Sequence, residues 1–257
     1  MAGISVAYDL AKEVGVKNIL ESFFYIKNKK EMMKEMIKNH DFILDSGAFS
    51  AMTQKKYINI NQYIDFIKEL NPPLYAGLDV IGNAEETKKN IEYMESKGLS
   101  PIPTFHRKSD FRYLYEMIDK YDYIALGGLA GLKTGRNQIM LWLDEVFKVI
   151  KDRKPDLKVH GFACSGIQVM KLYPWYSVDS SSWCAPVKFD RDIGFESTDE
   201  ILDRYMKQGI DVLSDRGVRW DTLVKESLKY FMKLEDDINL HHSKSSFQRL
   251  NQGDLFI

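Results

Sequence analysis

Short apolar or β-branched runs alternate along this chain with longer segments of helical period, and that alternation constrains the fold more than any other feature. Strand-sized runs separated by helix-sized segments do not close into tight hairpins. A crossover helix between them makes the strands parallel and the protein α/β. The runs expected as strands are Ile19–Tyr25, Phe42–Asp45, Leu74–Asp79, Pro101–Phe105, Tyr123–Gly127, Lys158–Phe162 and Tyr176–Asp179. Helices are expected at Lys30–Asn39, Asn61–Leu70, Ala84–Lys97, Asp110–Lys120, Asn137–Asp152 and Gly166–Leu172. An eighth strand falls at Ile4–Ala7 or Ile210–Leu213. Asn83 with Glu86 and Ser197 with Glu200 have capping-box spacing, and Ser109 precedes another periodic run. Seven or eight β/α units in 257 residues suit an α/β TIM-like (β/α)8 barrel, with a doubly wound open sheet as the competitor. Past Ser197 the alternation fades into two helical stretches, Asp199–Lys207 and Trp220–Asp237. Residues 1–240 are therefore expected to form one barrel with C-terminal helices, and 241–257 a polar, flexible tail.

Charge excludes one class of protein. Lys+Arg 36 against Asp+Glu 37 leaves a net charge of -1, which argues against a globally basic nucleic-acid coat and leaves room only for a local basic rim. The two cysteines, Cys164 and Cys184, supply neither a disulfide framework nor a four-cysteine zinc site. With His241 and His242 they lack ligand spacing and read as core thiols and tail histidines, so no metal is expected. No basic stretch followed by an apolar one opens the chain, and no apolar run approaches the roughly 18 residues of a membrane span. A cytoplasmic protein without a membrane partner is expected.

The residues that carry chemistry gather at the downstream ends of the expected strands. Asp45, Asp79 and Asp179 each end one, Gly127-Gly128 ends another, and His160-Gly161 a further one. In a (β/α)8 barrel these ends converge on one face, so three aspartates from three strands would share one pocket. Each aspartate alone would equally serve as a helix N-cap. Basic residues lie in the same loops: Arg107, Lys108, Lys133, Arg136, Lys188 and Arg191. They read as a cationic rim around an acidic pocket, suited to a polyanionic substrate with one buried moiety, or as ordinary solvated loop residues.

These segments resemble a known family. Asp45-Ser-Gly-Ala-Phe49 is similar to the Asp-Ser-Gly-Gly-aromatic motif of tRNA-guanine transglycosylases, and Gly127-Gly128-Leu129-Ala130 to that family's Gly-Gly-Leu-Ala. Val178-Asp179-Ser180 stands where the family's nucleophilic aspartate lies. Order and approximate spacing agree from about residue 40 to residue 185. The resemblance implies a TIM barrel that exchanges a guanine-type base in a nucleic acid for a 7-deazaguanine. On it, Asp179 attacks C1′ to form a covalent glycosyl–aspartate, and Asp45 shuttles the proton of the departing and incoming bases. Asp79 reads the purine N1–H and amine, and the Gly127–Gly128 backbone reads O6. Ser46 and Gly47 belong to the same base-binding motif. Phe49 and His160 pack on the ring's two faces, and His106 falls near a glutamine that contacts the base. Transfer through a carboxylate with a second carboxyl for protons needs no cofactor.

The departures point to a branch of the family. The zinc subdomain that follows the nucleophile in the tRNA enzymes has no counterpart here, and their Pro-Thr-Arg is replaced by Ser180-Ser-Ser-Trp183. The chain thus looks more like the compact phage and bacterial branch that acts on DNA with a free base such as preQ0. A DNA glycosylase excising a modified base by hydrolysis, a tRNA transglycosylase and a non-catalytic nucleic-acid-binding barrel stay open. So does a small-molecule phosphate barrel using the Gly127–Gly135 loop. Finally, Gln252, Asp254, Leu255 and Phe256 match four of the five positions of the bacterial sliding-clamp-binding pentapeptide, Gly253 being the departure. That segment would dock on the clamp or fold back on the barrel.

Overall fold

The computed structural model describes residues 1–129, 136–189 and 191–252, the side chains of 136 and 244–252 excepted. Among these residues the chain is a mixed α/β protein whose strands are all parallel. The strands are β1 (Asn18–Ser22), β2 (Asp41–Asp45), β3 (Leu74–Tyr75), β4 (Thr104–His106), β5 (Tyr123–Gly127), β6 (Lys158–Gly161) and β7 (Ser177–Val178). They form two sheets, β1-β2-β3 and β4-β5-β6-β7, in sequential order. The helices are α1 (Tyr8–Val14), α2 (Phe23–Ile26), α3 (Lys30–Asn39), α4 (Ala48–Thr53), α5 (Ile60–Leu70) and α6 (Ala84–Ser96). They continue as α7 (Phe111–Lys120), α8 (Arg136–Arg153), α9 (Ile167–Leu172), α10 (Ala185–Phe189), α11 (Thr198–Met206) and α12 (Arg216–Gln252).

Two compact units share these elements. The first comprises Met1–Ser5, Lys17–Val169 and Trp175–Ser180 and holds every described strand. Its sheets are separate, yet backbone bonds continue past both outer edges. Ile102 N–H donates to Tyr75 O and Gly77 N–H to Ile102 O, both at 2.9 Å, forming a single parallel bridge between Ala76 and Ile102. At the other edge Ala2 N–H donates to Ser180 O at 3.1 Å, while Gly3 N–H donates to Leu20 O at 3.0 Å.

Helix α5 shows how sequence dictates an element here. The Asn59 side chain accepts from the Asn61 and Gln62 N–H groups, and Tyr63, Ile64, Ile67 and Leu70 recur at the spacing of one buried face. Asn71 ends the helix in the left-handed region at φ 47°. Asn83 caps α6, while α7 is capped by Asp110 rather than Ser109.

Where local structure departs from the sequence pattern, packing explains it. Strand β1 ends at Ser22, and Phe23–Ile26 turns into helix because Phe23 and Ile26 are both buried, a spacing of three that a strand would place on opposite faces. Phe23 packs on Tyr63 and Phe66 at ring distances of 5.1 and 5.0 Å. Neither candidate eighth strand forms: Ile4–Val6 is a short 3-10 helix, and Ile210–Leu213 is turn structure. The extra pairing comes instead from Ala2, which bridges Leu20.

The second unit comprises Val6–Val16, Met170–Pro174 and Ser181–Ile257, and its described elements are helices joined by turns, with one antiparallel bridge between Ile193 and Glu196. Its core is Ile193, Ile201, Leu202, Val212 and Leu223. Ser197 and Glu200 form the full reciprocal capping box of α11. Helix α12 runs to Gln252, through the first part of the expected tail, and no Pro or Gly interrupts residues 218–252. Among the described residues no helix is long and apolar enough to cross a membrane.

Candidate active site

Because the strands of the first unit are parallel, their carboxyl ends point the same way, and the predicted site residues lie there. Asp45 and His106 are the last residues of β2 and β4, Gly127 is the last of β5, and Asp179 follows β7 directly. Asp79 lies beyond the short β3. None of the three aspartates is an N-cap: α4 is capped by Gly47, α6 by Asn83 and the 3-10 turn after β7 by Ser181.

Asp79 is gripped from two sides. His106 Nε2 stands 2.5 Å from its Oδ2, and the buried Ser46 hydroxyl donates to its Oδ1 at 3.4 Å. Ser46 Oγ in turn accepts from Ala48 N–H at 3.3 Å. The His106 ring lies across Gly127, where an added Cβ would fall 2.5 Å from its Nδ1 and Cε1. Gly128 follows at φ +88°, a conformation that favours glycine, beside Arg107, whose N–H donates to Gly127 O at 3.2 Å.

Asp45 is the electrostatic centre. Desolvation pushes its carboxyl up to about 7, and the negative charges of Asp79 and Asp179 add to the rise. A bond from the Gly47 N–H, at 3.1 Å, and the influence of the nearby Ser22 hydroxyl oppose it without cancelling it. The charges of Asp45 and Asp79 act on the Tyr63 phenol, which is pushed well above its ordinary value mainly by burial and donates to Ala76 O at 2.8 Å. Asp79 and Asp179 thus sit close enough to Asp45 to act on its carboxyl.

Asp179 is held by a different set. Its Oδ1 accepts from Ala163 N–H at 2.8 Å, Ala163 adopting φ 53°, and lies 3.3 Å from His160 Nε2. His160 Nδ1 meets Ser177 Oγ at 2.6 Å, and Ser177 Oγ meets the Tyr123 hydroxyl at 2.6 Å. A neutral imidazole has one donor and one acceptor nitrogen. If Nε2–H donates to Asp179, Nδ1 accepts from Ser177, whose oxygen accepts from Tyr123. Burial raises the Tyr123 phenol against the lowering pull of its Ser177 bond, which keeps it a donor. In that arrangement one line of donors ends on Asp179. Cys164 is a buried thiol pushed up to about 12 by desolvation, with the charge of Asp179 adding to it.

Several predicted residues stand elsewhere or in other roles. His160, expected to pack on the base, is only 2% exposed, and both ring nitrogens are engaged below the site. Phe49, expected on the other face, projects from α4 and is 54% exposed. Of the six rim residues, Arg107 and Lys108 belong to the first unit, and Lys188 and Arg191 to the second, where Arg191 stacks over Phe189 at 5.5 Å. Lys133 and the Arg136 side chain lie outside the described residues, as do Ala130 and the clamp-like Asp254, Leu255, Phe256 and the Gln252 side chain.

Sequence reasoning missed Ser177, Tyr123, Ala163 and Ser22. Ser177 and Asp179 are two apart in an extended segment, hence on one face, and that spacing was the available signal. Glu21 was missed too: it is 1% exposed in β1, burial raises its carboxyl, and it accepts from Ser5 N–H at 2.5 Å. No protein-family model matches the chain, and no curated protein matches it.

Proposed function

We propose that this chain is a DNA-guanine transglycosylase, exchanging guanine in DNA for a free 7-deazaguanine base such as preQ0 through a covalent glycosyl–aspartate. The observation that carries the reading is Asp45, a carboxyl raised to about 7 by burial and by the charges of Asp79 and Asp179, together with an Asp179 fixed by a backbone N–H and a histidine. Base exchange asks for that division: one carboxylate stays ionised to attack carbon, and a second changes protonation near neutral pH. An Asp179 oxygen bonds to C1′ as the C1′–N9 bond breaks, and the protonated Asp45 gives its proton to the leaving guanine. The incoming base loses its N9 proton to Asp45 and attacks C1′, and the ester bond to Asp179 breaks. Asp79, held by His106 and Ser46, presents its acceptors to the purine N1–H and amine, and the Gly127–Gly128 backbone reads O6.

The scaffold proposed for this chemistry is a closed β/α barrel in which Met1–Gly3 takes the eighth staves' place. The Ala76–Ile102 bridge and the Ala2 bonds to Ser180 and Leu20 support it, since they continue the ladder at both outer edges of the two sheets. The order of the Asp45, Gly127 and Asp179 motifs supports it as well.

The experiment is to incubate DNA or tRNA with labelled guanine or preQ0 and ask which polymer gains label. Label in DNA is the expected result, and label in tRNA would move the substrate. Base release without incorporation would make the protein a glycosylase. Neither release nor incorporation from either polymer would end the enzymatic reading.

A further inference from the structure

The loops after β1 and β2 carry a second surface. Segments 22–30 and 46–60 together hold five lysines and no Asp or Glu, in a chain whose net charge is -1. The same segments expose large side chains: Tyr25 is 58% exposed, Phe49 54% and Tyr57 85%. Contacts bind the two segments into one patch. Gln54 Nε2 donates to the Tyr25 hydroxyl at 3.1 Å, the Phe24 and Tyr25 rings meet edge-on at 5.1 Å, and Lys56 Nζ lies 5.7 Å from the Phe24 ring. The patch begins beside the catalytic carboxyls. Ser22 is the register partner of Asp45, and a Cβ on Gly47 would stand 2.4 Å from both Phe24 Cβ and Ser22 Oγ.

Exposed rings interleaved with ammonium groups, in segments that carry no carboxylate of their own although Lys30 pairs with Glu69, call for an occupant with flat π faces and closely repeated negative charge. A single polynucleotide strand has both: bases stack on rings and phosphates sit on lysines. We propose that Tyr25, Phe49 and Tyr57, with Lys55 and Lys56, form a stacking track for the single-stranded nucleic acid flanking the reacting nucleotide. The track rests on the polynucleotide substrate proposed above and adds the path of the strand, over the β1 and β2 loops as well as past Arg107.

Fluorescence anisotropy with a labelled single-stranded DNA oligonucleotide tests it, with RNA of the same sequence as a second arm and circular dichroism to check the fold of each variant. Tyr25→Ala and Tyr57→Ala should each weaken binding about tenfold. Lys55→Gln and Lys56→Gln should each lower the slope of log affinity against log salt by about 0.7. Tighter RNA binding with the same losses supports the track and makes the strand RNA. Unchanged affinity and slope in all four folded variants would overturn it. So would concentration-dependent dimerisation abolished by Tyr57→Ala, which would make the patch a contact between copies. Binding needs no turnover, so a wild-type protein that binds but exchanges no base refutes the chemistry and leaves the track standing.

Discussion

His106 holds Asp79 at 2.5 Å and does so from above Gly127, its register partner on the neighbouring strand. The glycine is thus required by the histidine as much as by any ligand. Gly127→Ala should displace the ring, release Asp79 and lower kcat/KM for base exchange about a hundredfold, the cost of misplacing a group by about an ångström. His106→Ala should cost a similar factor through the same carboxylate. The double variant should therefore be no worse than the poorer single one. Losses that multiply in the double variant would show that the two residues act separately.

Asp179→Asn should keep the fold and nucleic-acid binding and abolish exchange, since an amide oxygen does not form the glycosyl ester. Retention of more than about a tenth of wild-type turnover would remove Asp179 from the nucleophile's place, because loss of a covalent nucleophile costs far more than that. Asp45→Ala should cripple turnover by a similar margin while still allowing a trapped adduct, visible as a mass increase on the protein.

The acidity of Asp45 has a sign that stability measurements can read. Its folded value of about 7 lies above the ordinary 3.8, so the folded protein holds this proton more tightly than the unfolded chain. The stabilisation from the protonated carboxyl is whole below about pH 4 and is lost as the pH rises through about 7. Asp45→Asn should leave stability nearly unchanged at pH 4 and raise it by roughly 4 kcal/mol at pH 8, measured by denaturant unfolding. An equal effect at both pH values would mean that Asp45 titrates normally. Release of the leaving base, which draws on the protonated form, should slow above pH 7 in the wild type.

The strand ends were legible because apolar runs stopping at Asp45, Gly127 and Asp179 mark both a strand terminus and a reactive group. What the sequence concealed were contacts between distant residues. Nothing local says that Phe23 will meet Tyr63 and Phe66 and so end β1 three residues early. His160 was visible as a strand-end histidine, but whether its ring faces a ligand or the strand below depends on Ser177 and Tyr123, residues 17 and 54 positions apart from their partners in the relay. The raised acidity of Asp45 was hidden for the same reason: it comes from burial and from Asp79 and Asp179, which only the fold brings near.

The relay makes the last prediction. If Tyr123 donates to Ser177 and Ser177 to His160 Nδ1, the imidazole carries its proton on Nε2, aimed at Asp179. A donor on that carboxylate orients it and steadies it as the leaving group in the second half of the reaction. Ser177→Ala removes the partner of Nδ1, and the ring becomes free to exchange tautomers or turn over. Turnover should fall about tenfold to a hundredfold, within the range that misorienting a catalytic group commonly costs, while KM for the free base stays within about twofold. Ser177→Thr, which keeps the hydroxyl, should restore most of the loss, and Tyr123→Phe should show a smaller version of it. Two-bond proton–nitrogen spectra of histidine-labelled protein report the tautomer directly and need no turnover. A wild-type His160 carrying its proton on Nδ1, or a Ser177→Ala protein with an unchanged His160 spectrum, would break the relay whatever the activity showed.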